Sequence, residues 1–387
     1  MKEMEIPYYT QQTQALLQFL DENYSFRRNV LTGTVEFIEK ERGGSWQPLR
    51  KYDQNTITLR ALQSGVEAWD KDVRRFVESS FVKAYNPLRE YLEQLPPWDH
   101  HDRLKSLAHR VPTKNKYWEH DFHLWFRAMV AQWMQISPEH GNTLTPLLIG
   151  KQGDGKSTFC RLILPPELRT FYTDRIDFTN RNEAVQALVR FALINIDEYD
   201  SISKTQNAFL KHILQKADFK ARRAYSSVME THLRYASFIA TTNNLQPLTD
   251  PSGSRRFLCI ETCGSIDLQR PINYRQLYAQ AVEEIAGGLP TFFSRQNERR
   301  IQRSNLPYQN TEVIAELVNE YFKVPENKNE EKQMTLVQML RLIRQRNPGI
   351  GINRSSLIKL GFALISAGFT RKRARFGMVY TVAIRDK

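Results

Sequence analysis

Cysteine is scarce in this chain: three among 387 residues, Cys160, Cys259 and Cys263. None falls in a paired doublet, which argues against a zinc ribbon or a disulfide framework and points to a reducing compartment. Long apolar runs are missing too. No stretch approaches the roughly 18 apolar residues of a membrane-spanning helix, and the opening M-K-E-M-E-I-P-Y-Y has no apolar run of signal length. A soluble, cytoplasmic chain with no membrane partner is therefore expected. Acids are in deficit, 42 against 55 Lys and Arg, for a formal charge of +13. Such a balance points to a polyanionic partner, with a generically basic protein as the plain alternative. The 41% apolar residues suffice for the cores of two or three domains.

What the chain does contain centres on Pro146–Thr158, P-L-L-I-G-K-Q-G-D-G-K-S-T. An apolar strand ends in a glycine-rich turn, and Ser157–Leu164 reads as a helix. Gly150-x-x-x-x-Gly155-Lys156-Ser157 fits the P-loop pattern residue for residue. Glycines let backbone N–H groups converge on phosphate oxygens, and the helix N-terminus adds partial positive charge at the same place. Gly150, Gln152, Gly153, Asp154, Gly155, Lys156, Ser157 and Thr158 are the candidate ATP-binding residues. Lys156 is expected to reach the β- and γ-phosphates and the Ser157 hydroxyl to ligate Mg²⁺.

Three later stretches carry matching chemistry. Phe191–Glu198, F-A-L-I-N-I-D-E, is a buried strand ending in two acids, 41 residues beyond Lys156. Asp197 suits the Mg²⁺ shell and Glu198 the base that polarises an attacking water. Phe238–Asn244, F-I-A-T-T-N-N, places Asn243 at a strand tip to contact the γ-phosphate or the lytic water. Gly253-Ser254-Arg255-Arg256-Phe257 offers two arginines for the charge of a transferring γ-phosphoryl group, typically across a subunit boundary. Set beside each are an ordinary turn asparagine and salt-bridging structural arginines.

The remainder organises around this core. Residues 1–95 read as a small α+β domain, with a helix at Gln11–Glu22, a hairpin over Tyr24–Glu39 turning at Thr32-Gly33, and a helix over Leu59–Ala84. That last helix would bury Leu62, Val66, Trp69, Val73, Phe76 and Val77 on one face. Residues 96–310 form the nucleotide-binding domain, with a helical lead-in (96–140) containing the helix Trp118–Met134 and a core (141–310). Histidines cluster at His100, His101, His109, His120 and His123; His120-x-x-His123 has metal-ligand spacing, set against surface and core histidines. Lys216–Tyr225 interleaves Lys220, Arg222 and Arg223 with Phe219 and Tyr225, the pairing that tracks a nucleic-acid strand; a charged surface loop is the alternative. A helix and a linker fill 311–332, the linker being Pro325–Lys332.

From Met334 onward eleven Lys and Arg face one acid, Asp386, so this tail holds +10 of the +13. Two helices, Leu336–Arg344 and Ser355–Ala367, precede two strands around the basic turn Arg371, Lys372, Arg373, Arg375. That order is the order of a winged-helix module, here spanning 333–387, whose wing grips phosphates. A basic protein-binding surface is the competing account.

Taken together, the motifs resemble the virulence-associated protein E (VapE-like) family of primase-helicase-like proteins from phages and mobile elements. The resemblance runs over roughly residues 24–309. It includes Asn86-Pro87-Leu88 leading to Trp98-Asp99, Arg127–Gln132, Gly150–Ser157, Asn195–Glu198, Thr241-Thr242-Asn243, Gly253–Phe257 and Tyr274–Ala281. That family belongs with the AAA+ ATPases and is similar to superfamily 3 helicases. It implies an α/β, AAA+-like core and a hexameric ring that hydrolyses ATP at subunit interfaces while acting on single-stranded or forked DNA. Asn243 would then be the sensor and Arg255 or Arg256 the finger in trans. The stretch around Asp218–Tyr225 lacks the family's usual proline, and no primase domain is evident. The expected function is an ATP- and Mg²⁺-dependent helicase or replication initiator; the alternatives are a DNA-binding regulator using ATP as an assembly switch and a small-molecule P-loop kinase.

Overall fold

A computed structural model describes residues 8–136, 141–221, 230–248, 254–309, 312–347, 350–375 and 377–385. The N-terminal elements are α1 (Tyr8–Asn23), β1 (Tyr24–Asn29), β2 (Val35–Glu39), β3 (Gln47–Pro48), α2 (Lys51–Gln63), α3 (Asp70–Glu78) and β4 (Lys83–Tyr85). Their sheet runs β3-β2-β1-β4, with β1 and β2 antiparallel around Gly33, whose φ of +72° a glycine adopts without strain. A core of Leu16, Leu20, Tyr24, Ile57, Ala61 and Val73 holds helices and sheet together.

The helix expected over Leu59–Ala84 is in fact two helices and a strand. Gly65 takes φ +82° after α2, α3 begins at Asp70, and Lys83–Tyr85 pairs with β1 in parallel. The break rotates the apolar series, so Val73 and Val77 are buried while Leu62 and Trp69 stand in solvent. Aliphatic spacing continued across a glycine stop and mimicked one helix.

Next come α4 (Pro87–Glu93), α5 (Arg103–Ala108), α6 (Trp118–Met134), β5 (Thr145–Ile149), α7 (Lys156–Leu162), β6 (Tyr172–Thr173), α8 (Arg181–Arg190), β7 (Leu193–Ile196), α9 (Lys204–Leu214), β8 (Asp218–Ala221), β9 (Glu230–Leu233), β10 (Ser237–Thr242), β11 (Phe257–Glu261), α10 (Tyr274–Ala286) and α11 (Arg295–Ser304). Leu88 and Leu92 of α4 join the core built around α6 and α10, as does Leu31 from the N-terminal segment.

The central sheet is parallel throughout, in the order β11-β5-β10-β7-β6. Successive residues alternate between its two faces. Leu148, Leu193, Ile239 and Leu258 pack on one side with α6, α7 and α10, whereas Leu147, Ile194, Phe238 and Phe257 pack on the other against α8 and α9. Helices cover both faces, which is why the strands read as unbroken apolar runs. Strand β10 is inserted between the strand that carries the glycine loop and the strand that carries the acids. The hairpin β8–β9 stands apart as its own two-stranded ribbon.

The chain ends in α12 (Glu312–Tyr321), β12 (Phe322–Lys323), β13 (Lys332–Met334), α13 (Leu336–Arg346), α14 (Arg354–Ser366), β14 (Arg371–Ala374) and β15 (Gly377–Ile384), with β15 pairing antiparallel to the other three strands. The helix–helix–hairpin order expected of the tail is present. The 311–332 segment expected as helix and linker is part of this unit: Leu317, Val318 and Phe322 are core, and Lys323 bridges Glu330 at 2.9 Å. Only Lys332 of the linker-like stretch pairs, as the first of the three β13 residues beside β15. No helix among the described residues is long and apolar enough to cross a membrane.

Candidate functional site

The glycine loop follows directly from β5. Gly150 N–H donates to the Thr242 carbonyl at 3.2 Å, extending the β5–β10 ladder by one residue. The chain then turns through Gly153 (φ +89°) and Gly155 (φ +86°) into α7. Asp154 closes the turn: its Oδ2 accepts the Lys151 N–H at 2.8 Å and the Thr262 hydroxyl at 2.9 Å. Gly150 is required by crowding, since a Cβ there would lie 2.0 Å from Thr262 Oγ1. Sequence reading grouped Asp154 with the phosphate ligands; its carboxylate is engaged in shaping the loop.

Within the loop the Lys156 ammonium is buried and donates to the Gly150 carbonyl at 2.9 Å, the Lys151 carbonyl at 2.6 Å and Asn243 Oδ1 at 2.9 Å. Burial draws its pKa below the ordinary lysine value, and the nearby Asp154 and Asp197 oppose that drift. Gln152, Gly153, Ser157 and Thr158 line the open side of the loop.

The acids arrive at the same end of the sheet. Asp197, just past β7, accepts the Ser157 hydroxyl at 2.9 Å and also the Thr241 hydroxyl. Thr242 donates in turn to Asp200. Glu198 is exposed and holds a left-handed backbone, φ 49° and ψ 53°, unfavourable for a side-chain-bearing residue by about 1–2 kcal/mol. Two hydrogen-bonded pairs, Lys156–Asn243 and Ser157–Asp197, thus start from adjacent residues of the loop, with Glu198 next in the chain after Asp197. Thr241, Thr242, Asp200 and Thr262 went unremarked as single residues, although the first two stand in the T-T-N triplet.

Arg255 and Arg256 are elsewhere. They precede β11, whose Phe257 registers with Thr145 and whose Glu261 registers with Ile149. The cradle lies past Ile149, so a whole strand, about 17 Å at 3.3 Å per residue, separates the arginines from their own chain's loop. Arg255 is exposed and makes a long ion pair with Glu298 at 3.5 Å; Arg256 is half-buried.

Of the nucleic-acid candidates, Lys220 has its backbone in β8, and Arg222 and Arg223 lie outside the described residues. Arg371, Lys372 and Arg373 on β14 and Arg375 beyond it are exposed along one hairpin. The root of the β8–β9 hairpin carries a residue that sequence reading missed. Arg234 is 2% exposed, and its guanidinium donates to the carbonyls of Ala236, Ile213, Leu214, Lys216 and Asn142 at 2.6–3.3 Å. Burial pulls its pKa down to about 9. One isolated arginine among many offers no pattern that would mark it.

His120 and His123 do not form a metal site: His120 Nδ1 lies 3.1 Å from Asp121 Oδ1 and His123 Nε2 lies 3.6 Å from Asp102 Oδ1. No cluster of three metal-ligating side chains occurs among the described residues. Arg127 and Gln132, prominent in the motif set, are structural. Arg127 pairs with Glu284 at 2.7 Å, and Gln132 donates to the carbonyls of Tyr235 and Ala236, tying α6 to α10 and to the root of β10.

The model of the virulence-associated protein E-like domain matches residues 92–309. Among solved structures, the apo structure of the NrS-1 C-terminal region is 12% identical, with 97% of this chain and 99% of that chain covered, at a TM-score of 0.48. Its A form gives 12% identity, the same coverage and a TM-score of 0.45. No curated protein matches the chain.

Proposed function

This chain belongs to the virulence-associated protein E-like family, and from that premise we propose that it is an ATP-hydrolysing motor or replication initiator acting on DNA for a phage or mobile element. The observation that carries the reading is the two hydrogen-bonded pairs Lys156–Asn243 and Ser157–Asp197, which join the loop to the ends of β10 and β7 at one end of a parallel sheet, where ligands of such sheets collect. A triphosphate entering the loop would exchange the Lys156 contacts with Gly150 and Lys151 for phosphate oxygens. The backbone N–H groups of the loop and of the α7 N-terminus would face the same anion.

The Ser157 hydroxyl and Asp197 carboxylate, 2.9 Å apart and both exposed, are the hard oxygen donors that suit Mg²⁺. When bound, Mg²⁺ supplies charge neutralisation to the phosphates. Glu198 would accept the proton of the attacking water and Asn243 would hold that water or the γ-phosphate. Because Arg255 and Arg256 are a strand's length from their own cradle, either would serve a neighbour's nucleotide, which requires an oligomer and is met by an AAA+-like ring. We read the C-terminal unit as a winged helix whose basic hairpin, with Lys220–Arg223, holds DNA phosphates.

The test is ATP turnover with and without single-stranded DNA over a salt series. Stimulation that falls steeply with salt is expected from counterion release. Lys156→Ala should abolish turnover, and Glu198→Gln should bind ATP without hydrolysing it. Normal hydrolysis by Glu198→Gln would remove the assigned base. DNA binding without displacement of a forked strand would leave the assembly-switch alternative.

A further inference from the structure

On the reading that the Lys156 loop binds a nucleoside triphosphate, the orientation of that ligand follows from where the terminal-phosphate groups lie. Asn243 and Asp197 stand just past the ends of β10 and β7, to one side of β5. The γ-phosphate end therefore points toward them, and the nucleoside leaves the cradle on the opposite flank, over β11. What occupies that flank is the continuation of β11, residues 262–272.

This strap is fastened to the loop itself. Thr262 N–H donates to the Ile149 carbonyl at 2.8 Å, the Thr262 hydroxyl to Asp154 Oδ2, and Ile266 N–H to the Asp154 carbonyl at 2.9 Å. Leu268 lies on the left-handed turn: a Cβ on Gly155 would be 2.9 Å from its Cδ1 and 3.8 Å from Ile266 Cβ. Ile266 is buried and Leu268 only partly so, which leaves apolar surface beside the cradle.

The strap is anchored inward through several of its backbone groups. Buried Arg110 donates to the carbonyls of Asp267, Arg270 and Pro271 at 3.3, 2.6 and 3.2 Å. Asp267 N–H returns a bond to the Arg110 carbonyl, and Cys263 N–H bonds the Pro112 carbonyl. The Asp267 carboxylate accepts the N–H groups of Gln269 and Arg270 and pairs with the Arg270 guanidinium at 2.7 Å. An apolar side chain held on an anchored backbone can seat a nucleoside by contact.

We propose that residues 262–272 form the nucleoside wall of the site, with Leu268 as the contact to base and ribose, Ile266 backing it, and Arg110 as the positioning residue that holds the strap. Recognition is by apolar contact of Leu268 with the nucleoside.

The test compares binding of ADP with binding of inorganic tripolyphosphate, by calorimetry on the full chain. Leu268→Gln should weaken ADP roughly tenfold, the scale of lost apolar contact in a pocket, and leave tripolyphosphate within about twofold. Leu268→Met should retain ADP affinity. Arg110→Lys, unable to span three carbonyls in one plane, should weaken ADP in the same selective way. Unchanged ADP affinity in Leu268→Gln, or an equal loss of both ligands, would overturn the assignment and make Leu268 a prop for Gly155. If the unaltered chain bound tripolyphosphate but gained nothing from the nucleoside, the wall would also be wrong while the cradle stood. Binding of neither ligand would remove the cradle itself, and the wall with it.

Discussion

The Lys156 ammonium rests 2.9 Å from Asn243 Oδ1, joining the first turn of α7 to the residue just past β10, 87 positions further along the chain. An amide accepts this bond without neutralising the lysine. Asn243→Ala should leave ATP affinity close to unaltered and lower kcat by about 100-fold, the scale of losing one preorganised polar contact. Asn243→Asp should behave differently: an anion beside Lys156 competes with phosphate, so KM should rise. Steady-state kinetics on both variants separates the two effects; an unchanged kcat in Asn243→Ala would leave Asn243 a structural acceptor.

Gly150→Ala should destabilise the protein by about 1–3 kcal/mol, because its methyl group meets Thr262 Oγ1 at 2.0 Å and Asp154 Oδ2 at 2.7 Å. Thr262→Ala in the same chain removes the nearer atom and should recover part of that loss. A double-mutant cycle by denaturant unfolding checks it, and simple additivity would show that the crowding is not the cause.

Subunits carrying Lys156→Ala should be inactive, and so should those carrying Arg255→Ala if that arginine is the finger. Mixed together, they should regain part of the turnover, because an intact cradle then meets an intact finger across a boundary. The same mixture with Arg256→Ala decides between the two arginines. Failure of both mixtures to recover would contradict the proposed service in trans.

Arg234→Met should cost about 3–5 kcal/mol, since five buried carbonyls lose their donor at once. Arg234→Lys should rescue little, because three donors on one nitrogen cannot reach acceptors spread around a guanidinium plane. Denaturant midpoints decide the matter.

His123 should make the fold acid-sensitive. Burial is the largest influence on it and lowers its pKa, with Arg127 acting in the same direction and Asp102, Glu284 and Glu119 opposing. A base whose pKa is lower folded than unfolded binds more protons when unfolded, so stability falls as pH drops below the ordinary histidine value of about 6.5. Thermal midpoints across pH 5–8 should show this slope, and His123→Gln should reduce it. An identical slope in the variant would assign the sensitivity to other groups.

Local rules made much of the site legible in advance. Gly150, Gly153, Gly155, Lys156 and Ser157 fall within eight consecutive residues, and both the positive φ values and the helix start are properties of a few neighbouring residues. Asp197 and Asn243 were readable because each ends an apolar run, and a buried strand can end only where its side chains meet water. Local reading failed where a property depended on more than a few neighbours. The helix expected across Ser64-Gly65 broke because apolar spacing cannot report a backbone reversal, and Lys332, the last residue of the linker-like stretch, joined a sheet because β15 was there to pair with it.

By itself, then, the amino-acid order determined the loop, the strand ends, the alternation that buries both faces of the sheet and the charge of the tail. Folding in three dimensions decided that β10 lies between the loop and the acids, that Arg255 and Arg256 sit at the far end of the sheet, and that Arg234, Arg110 and Thr262 are its fastenings. The physical reason is range. Backbone dihedrals, caps and hydrophobic periodicity act over a few residues, whereas strand order and the bonding of a buried cation join groups up to about 160 positions apart, and no short window of sequence contains both partners.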